Sequence, residues 1–372
     1  MSKKMVARLG LVSFIPFCLA LMAGFEQSAK PRARSFLPTK ADLQNLGFSE
    51  WNPPWELKPQ EESYATLVRK YPSEEAYFAA SPLAKLSAGS ATDFSQMGSI
   101  PDEYIEQMKS SLQGRLKALG EKNITPFVPF PTPQQRIDLD ILDLVKQEKF
   151  TKQAFIDAYR KRLSPLESAA EISFAKITPP AAGEPRFAAR AGRIDIRVYL
   201  YTPAYVREHP AEFQYSDQDT AYFKQRLSDF YRNVAELLPA KKGEEMEEEL
   251  QTRLQVPTEK RQEFERKKIA DLQDGLEALD LLQNSPPKID STMVSFGDQG
   301  LVVRAVYTFP ESSRDKLAKA ETEVSTMISA SLKQGSAVAQ VELTTNSNAD
   351  YSEDTFQKLL ELLAQKLQPF RQ

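Results

Sequence analysis

The sequence predicts an α+β fold: a mostly helical N-terminal region followed by one split domain or two small α/β-sandwich modules, with a charged helical insertion. Three observations predict it. Residues 134–163 carry apolar side chains at three- and four-residue spacing behind a helix-start signal. Arg193, Asp195 and Arg197 alternate with Ile194, Ile196 and Val198, the period-two pattern of a half-buried strand. Two apolar runs, Met293–Phe296 and Leu301–Phe309, flank Gly297-Asp-Gln-Gly300, a hairpin signal.

The chain has 372 residues, 41% hydrophobic and 27% charged, enough to bury a sizeable core. Residues 1–25 read as a signal peptide or N-terminal signal anchor and 26–60 as a tether containing Pro and Trp. A mostly helical region (61–125), a Pro-rich linker (126–133) and a helical hairpin (134–168) come next. A first α+β module (169–240), a charged arm (241–286) and a second ββαβα module (287–372) complete the order.

In the leader, Lys3, Lys4 and Arg8 precede an uncharged apolar stretch from Leu9 to Phe25. A helix needs about 17–25 apolar residues to span a bilayer, so residues 9–25 sit at the lower limit, with Pro16 in their middle. Cleavage, a single-pass anchor and a buried helix all remain open; export to a bacterial periplasm or the outer face of the inner membrane is the expectation. The single cysteine, Cys18, lies in the leader, so the exported part forms no disulfide.

In the tether, Pro53 and Pro54 stand between Trp51 and Trp55, which either dock on the chain's own domain or contact a partner. Ser73, Tyr77 and Phe78 mark a short helix, and Tyr104, Met108, Leu112, Leu116 and Leu119 mark a longer one. Thr132-Pro-Gln-Gln135 combines an N-cap, a Pro at the first helical position and a Gln that completes a capping box. Ile172–Ile177 is a strand partner for residues 193–200. Tyr222, Phe223, Leu227, Phe230, Tyr231, Val234 and Leu238 form a helical stripe. In the arm, Ile269, Leu272, Leu276 and Leu279 recur at helical spacing. Further on, Ser312 and Asp315 cap a predicted helix carrying Leu317, Ala320, Val324, Met327, Ile328 and Leu332. Ala339, Val341 and Leu343 share a strand face, and Phe356, Leu359, Leu360, Leu363 and Leu367 line a last helix. Arg197–Pro203 and Arg304–Pro310 share residue types and order, as an internal repeat would.

The segment Phe150-Thr-Lys-Gln-Ala-Phe155-Ile-Asp-Ala-Tyr159-Arg-Lys-Arg162 resembles helical segments of exported folding chaperones of the prolyl-isomerase type. The likeness spans about a dozen residues, without an isomerase-domain signature, and implies at most a chaperone-like binding role.

Chemistry is sparsely supplied. A net charge of −3 (48 Lys and Arg against 51 Asp and Glu) argues against a dedicated nucleic-acid binder. One histidine, His209, and one cysteine supply neither a Cys/His zinc cluster nor a Ser-His-Asp triad. His209 reads as a loop-capping residue that Glu208 or Asp217 could orient. Asp138, Asp140 and Asp143 read as a solvated helix face, with carboxylate chemistry as the alternative. The acidic run Glu244–Glu249 reads as a solvated or partner-facing arm. Asn346–Asp354 has calcium-loop flavour without the Gly at position six or the Glu at position twelve. Ser313-Arg-Asp-Lys316 lacks the companion elements of Ser-x-x-Lys hydrolases, and no phosphate- or dinucleotide-binding motif occurs.

These observations favour a non-enzymatic protein of the cell envelope that binds or scaffolds protein partners. Its contacts with a partner fall on Trp51, Trp55, Leu272, Leu276 and Leu279; self-association is allowed, and catalytic, cofactor and metal sites are not expected. The alternatives are a chaperone-like binding protein and a carboxylate-dependent hydrolase. Membrane contact is expected only through residues 9–25, if uncleaved. Intact-mass measurement of the native protein with protease accessibility of its C-terminal part tests export. Loss of the leader is the expected result, and an intact chain shielded inside the cytoplasm contradicts it.

Overall fold

The computed structural model describes residues 32–48, 51–56, 71, 73–81, 94–121, 130–178, 190–213, 221, 225, 243–255, 257, 258, 262, 263, 265, 266, 268–270, 272, 273, 276, 288–296, 300–308, 324–345 and 353–371. It shows an α+β architecture built on one six-stranded antiparallel sheet. The strands are β1 (Leu166–Thr178), β2 (Arg190–Tyr201), β3 (Lys288–Phe296), β4 (Gly300–Thr308), β5 (Val324–Gln334) and β6 (Ala337–Thr345). Their spatial order is β1-β2-β6-β5-β4-β3. A hairpin, β1–β2, therefore joins a four-strand meander, β3–β6, through the β2–β6 pair, whose register runs from Gly192↔Thr345 to Leu200↔Ala337.

The described helices are α1 (Lys40–Asn45), α2 (Glu74–Ala80), α3 (Asp102–Glu121), α4 (Pro133–Lys146), α5 (Lys152–Leu163), α6 (Pro203–Glu208) and α7 (Glu353–Lys366), with partly described helical stretches in the arm. α4 begins as its sequence requires: the Thr132 hydroxyl accepts from the Gln135 N–H at 3.2 Å and the Thr132 N–H donates to Gln135 Oε1 at 2.8 Å. It ends with Glu148 in the left-handed region (φ 58°), and the Lys149 N–H donates to the Leu144 carbonyl at 2.8 Å. α3, α4 and α5 enclose a separate helical core of Ile105, Ile137, Ile141, Val145, Phe155 and Tyr159.

The larger core lies between one face of the sheet, α7 and the N-terminal segment. Ile194, Ile196, Val198, Ala339, Val341 and Leu343 meet Phe356, Leu359, Leu360 and Leu363 there. At about 25 cal/mol per Å² of apolar surface, such burial dominates the stability of the sheet. The segment read as a tether belongs to the same core: Leu37, Leu43, Phe48 and Trp51 are buried, and α1 carries a capping box between Thr39 and Asp42. Asn52 pairs with Ala175 on the free edge of β1, each N–H donating to the other's carbonyl. The Trp51 ring lies against Gly192, its Cη2 filling the space where a Cβ would stand.

Two expectations are corrected. The helix expected to carry Val324, Met327, Ile328 and Leu332 is strand β5 over those residues; paired with β4 and β6, it turns Ile328, Ala330 and Leu332 into the core. Residues 312–323 lie outside the described residues. The single-pass anchor is also corrected: among the described residues no helix is long and apolar enough to cross a membrane. Residues 9–25, the expected anchor, lie outside them, as does every residue of the stripe from Tyr222 to Leu238.

Gly192→Ala forces a methyl group against the indole, and overpacking of this kind costs about 1–3 kcal/mol. The expected result is a lower urea midpoint and altered tryptophan emission; an unchanged midpoint and spectrum would show that Trp51 is not seated on Gly192.

Candidate functional site

The face of the sheet opposite the α7 core is polar at its centre. Register places Glu171, Ser173 and Ala175 of β1 opposite Arg197, Asp195 and Arg193 of β2, and these opposite Gln340, Glu342 and Thr344 of β6. The alternation that marks β2 as a strand with one polar face thus collects three carboxylates and two guanidinium groups from three strands. The polar side is not simply solvated: Asp195, Ser173 and Gln340 are each only 8% exposed.

Arg197 is the hub. Its Nε lies 3.3 Å from Glu171 Oε2, Nη1 lies 3.4 Å from Glu342 Oε2, and Nη2 lies 3.7 Å from Asp195 Oδ2. Burial works against the guanidinium charge, but Asp195, Glu171 and Glu342 outweigh it and hold the group firmly protonated. Asp195 also receives Arg193 Nε at 2.8 Å and the hydroxyl of Ser173, while Tyr77 donates to Ser173 at 3.1 Å. Ser81 donates to Glu171 at 2.9 Å. Tyr77 and Ser81 belong to the N-terminal segment, so the network ties α2 to the β1–β2 hairpin.

A second cluster joins the helical hairpin to the sheet. Arg162 on α5 makes a two-pronged contact with Asp140 on α4, at 2.7 and 3.0 Å, and reaches Glu212 at 3.1 Å. Arg136 on α4 meets the same Glu212 at 3.2 Å, and the Tyr205 hydroxyl stands 3.1 Å from both of its carboxylate oxygens. His209 ends α6, its N–H donating to the Tyr205 carbonyl, and its ring stacks on Tyr205 at 4.2 Å. Tyr201 and Phe213 complete this aromatic patch.

The sequence-derived candidates are not gathered in one place. Trp51 is 3% exposed and sits in the main core; Trp55 packs partly buried against Tyr77, with ring centres 5.3 Å apart. Leu272 is buried with Leu250 and Ile269 in a small core belonging to the arm, and Leu276 packs against it. Leu279 lies outside the described residues, as do Asp217, Ser313 and Lys316. Asp138 accepts from Gln134 at 3.2 Å, Asp140 is held by Arg162, and no group of three or more potential metal ligands occurs among the described residues. Sequence reasoning missed Arg162, Glu212, Glu171 and Glu342. Alternating charges on β2 were the available signal for the first network; nothing local linked the members of the second.

Chemically, both clusters spend charge on charge. The Ser173 hydroxyl donates to Asp195 and accepts from Tyr77, so both its roles are occupied. These arrangements hold elements in register, and the removal of one partner would strand a partly buried charge. Comparison with protein-family models, curated proteins and solved structures finds no match.

Burial pushes the phenols of Tyr199, Tyr201 and Tyr77 well up; nearby Arg197 and Arg136 only partly offset this for Tyr199 and Tyr201. A phenol whose folded pKa is raised adds stability below its unfolded value of about 10, and the contribution is lost as pH climbs through the folded value. Ultraviolet titration should therefore show these tyrosines ionising only together with alkaline unfolding. Their ionisation near pH 10 in folded protein would contradict the burial.

Proposed function

We propose that the chain is a non-enzymatic, exported protein of the bacterial cell envelope that binds and organises partner proteins, with its acidic arm as the recognition element. The observation that carries this reading is the arm's construction. Leu250, Ile269 and Leu272 form a core of their own, distinct from the cores of the sheet and the helical hairpin, and Arg253, paired with Glu249 one turn away on its own segment, reaches Glu265 on the other. Ile269, Leu272 and Leu276 of the stripe are thus used inside the arm. Its outer surface presents Glu244, Glu247 and Glu248, all exposed and spaced to lie on one helical face. A compact acidic helix of this kind suits a basic surface on another protein.

The other readings draw less support. Glu171, Asp195 and Glu342 are engaged by Arg197, and Asp140 and Glu212 by Arg162, an arrangement that suits charge pairing better than paired-carboxylate catalysis. The apolar faces of α4 and α5 pack on each other and on α3, which suits a structural role better than a client-binding groove. The continuous sheet also supports a single domain split by the arm, in preference to two modules.

The test is crosslinking in the native envelope followed by co-purification, comparing the natural chain with a triple variant, Glu244→Lys, Glu247→Lys and Glu248→Lys. Glu249 is kept to preserve its bridge to Arg253. A reproducible neighbour lost from the variant, at unchanged expression and melting temperature, is expected. Recovery of the natural chain as a monomer without neighbours, or the same neighbours on the variant, overturns the reading.

A further inference from the structure

We draw no further inference here: the strongest candidate, the pair of buried polar groups beside the Arg197 cluster, where the Tyr199 hydroxyl on β2 and the Gln340 amide oxygen on β6 have no hydrogen-bond partner among the described residues, carries nothing, because both atoms are closed off from solvent and nothing in the structure shows a space beside them that a ligand could enter.

Discussion

The pairing of β2 with β6 is the contact on which the rest of the structure depends. It joins a hairpin, β1–β2, to a meander formed by residues far along the chain, and makes one sheet of two strand groups. On one side it sets Ile194, Ile196 and Val198 beside Leu343, Val341 and Ala339, the floor on which α7 packs. On the other it brings Glu342 to Arg197 and completes a charge cluster that neither strand group holds alone. A slip of one residue would turn both sets of side chains over, placing charges in the core, so the two faces enforce the same register.

The charge clusters extend this frame outward. Through Tyr77 and Ser81 the Arg197 network fastens the N-terminal segment, and through Arg162 and Glu212 the helical hairpin is fastened beside the end of β2. Buried ion pairs add little net stability, because desolvation offsets much of the attraction, yet breaking one is costly. Their value here is positional: each Arg accepts only the arrangement that brings its several carboxylates within reach.

The parts of this fold that were legible in the sequence are those whose determinants are local. Thr132, Pro133 and Gln135 announce α4 within four residues, and the alternation from Arg193 to Leu200 announces β2. Strand β5 was misread because Val324, Met327, Ile328 and Leu332 also satisfy a helical period, and Ala, Met and Leu are good helix formers. Strands on both sides overrode that preference, and the true signal was Ile328, Ala330 and Leu332 alternating with Ser329 and Ser331. Trp51 gave a residue type suited either to a core or to an interface, and only the space over Gly192 decided its place. The charge clusters were illegible for a different reason: Glu171, Arg197 and Glu342 come from three strands whose adjacency is a property of topology.

The position of β6 in the sheet has a consequence in time. β6 lies between β2 and β5, so the middle of the sheet is filled by a strand synthesised after all the others. Closing the intervening loop is thermodynamically tolerable, since each doubling of loop length adds only about 0.6 kcal/mol, but non-local pairing slows folding. A nascent chain that has not yet released residues 337–345 holds a β1–β2 hairpin and a β3–β5 meander, each with an uncovered flank where β6 belongs. Until β6 is available the two strand groups have no pairing to join them, so the sheet cannot close before the last of its described strands has been made.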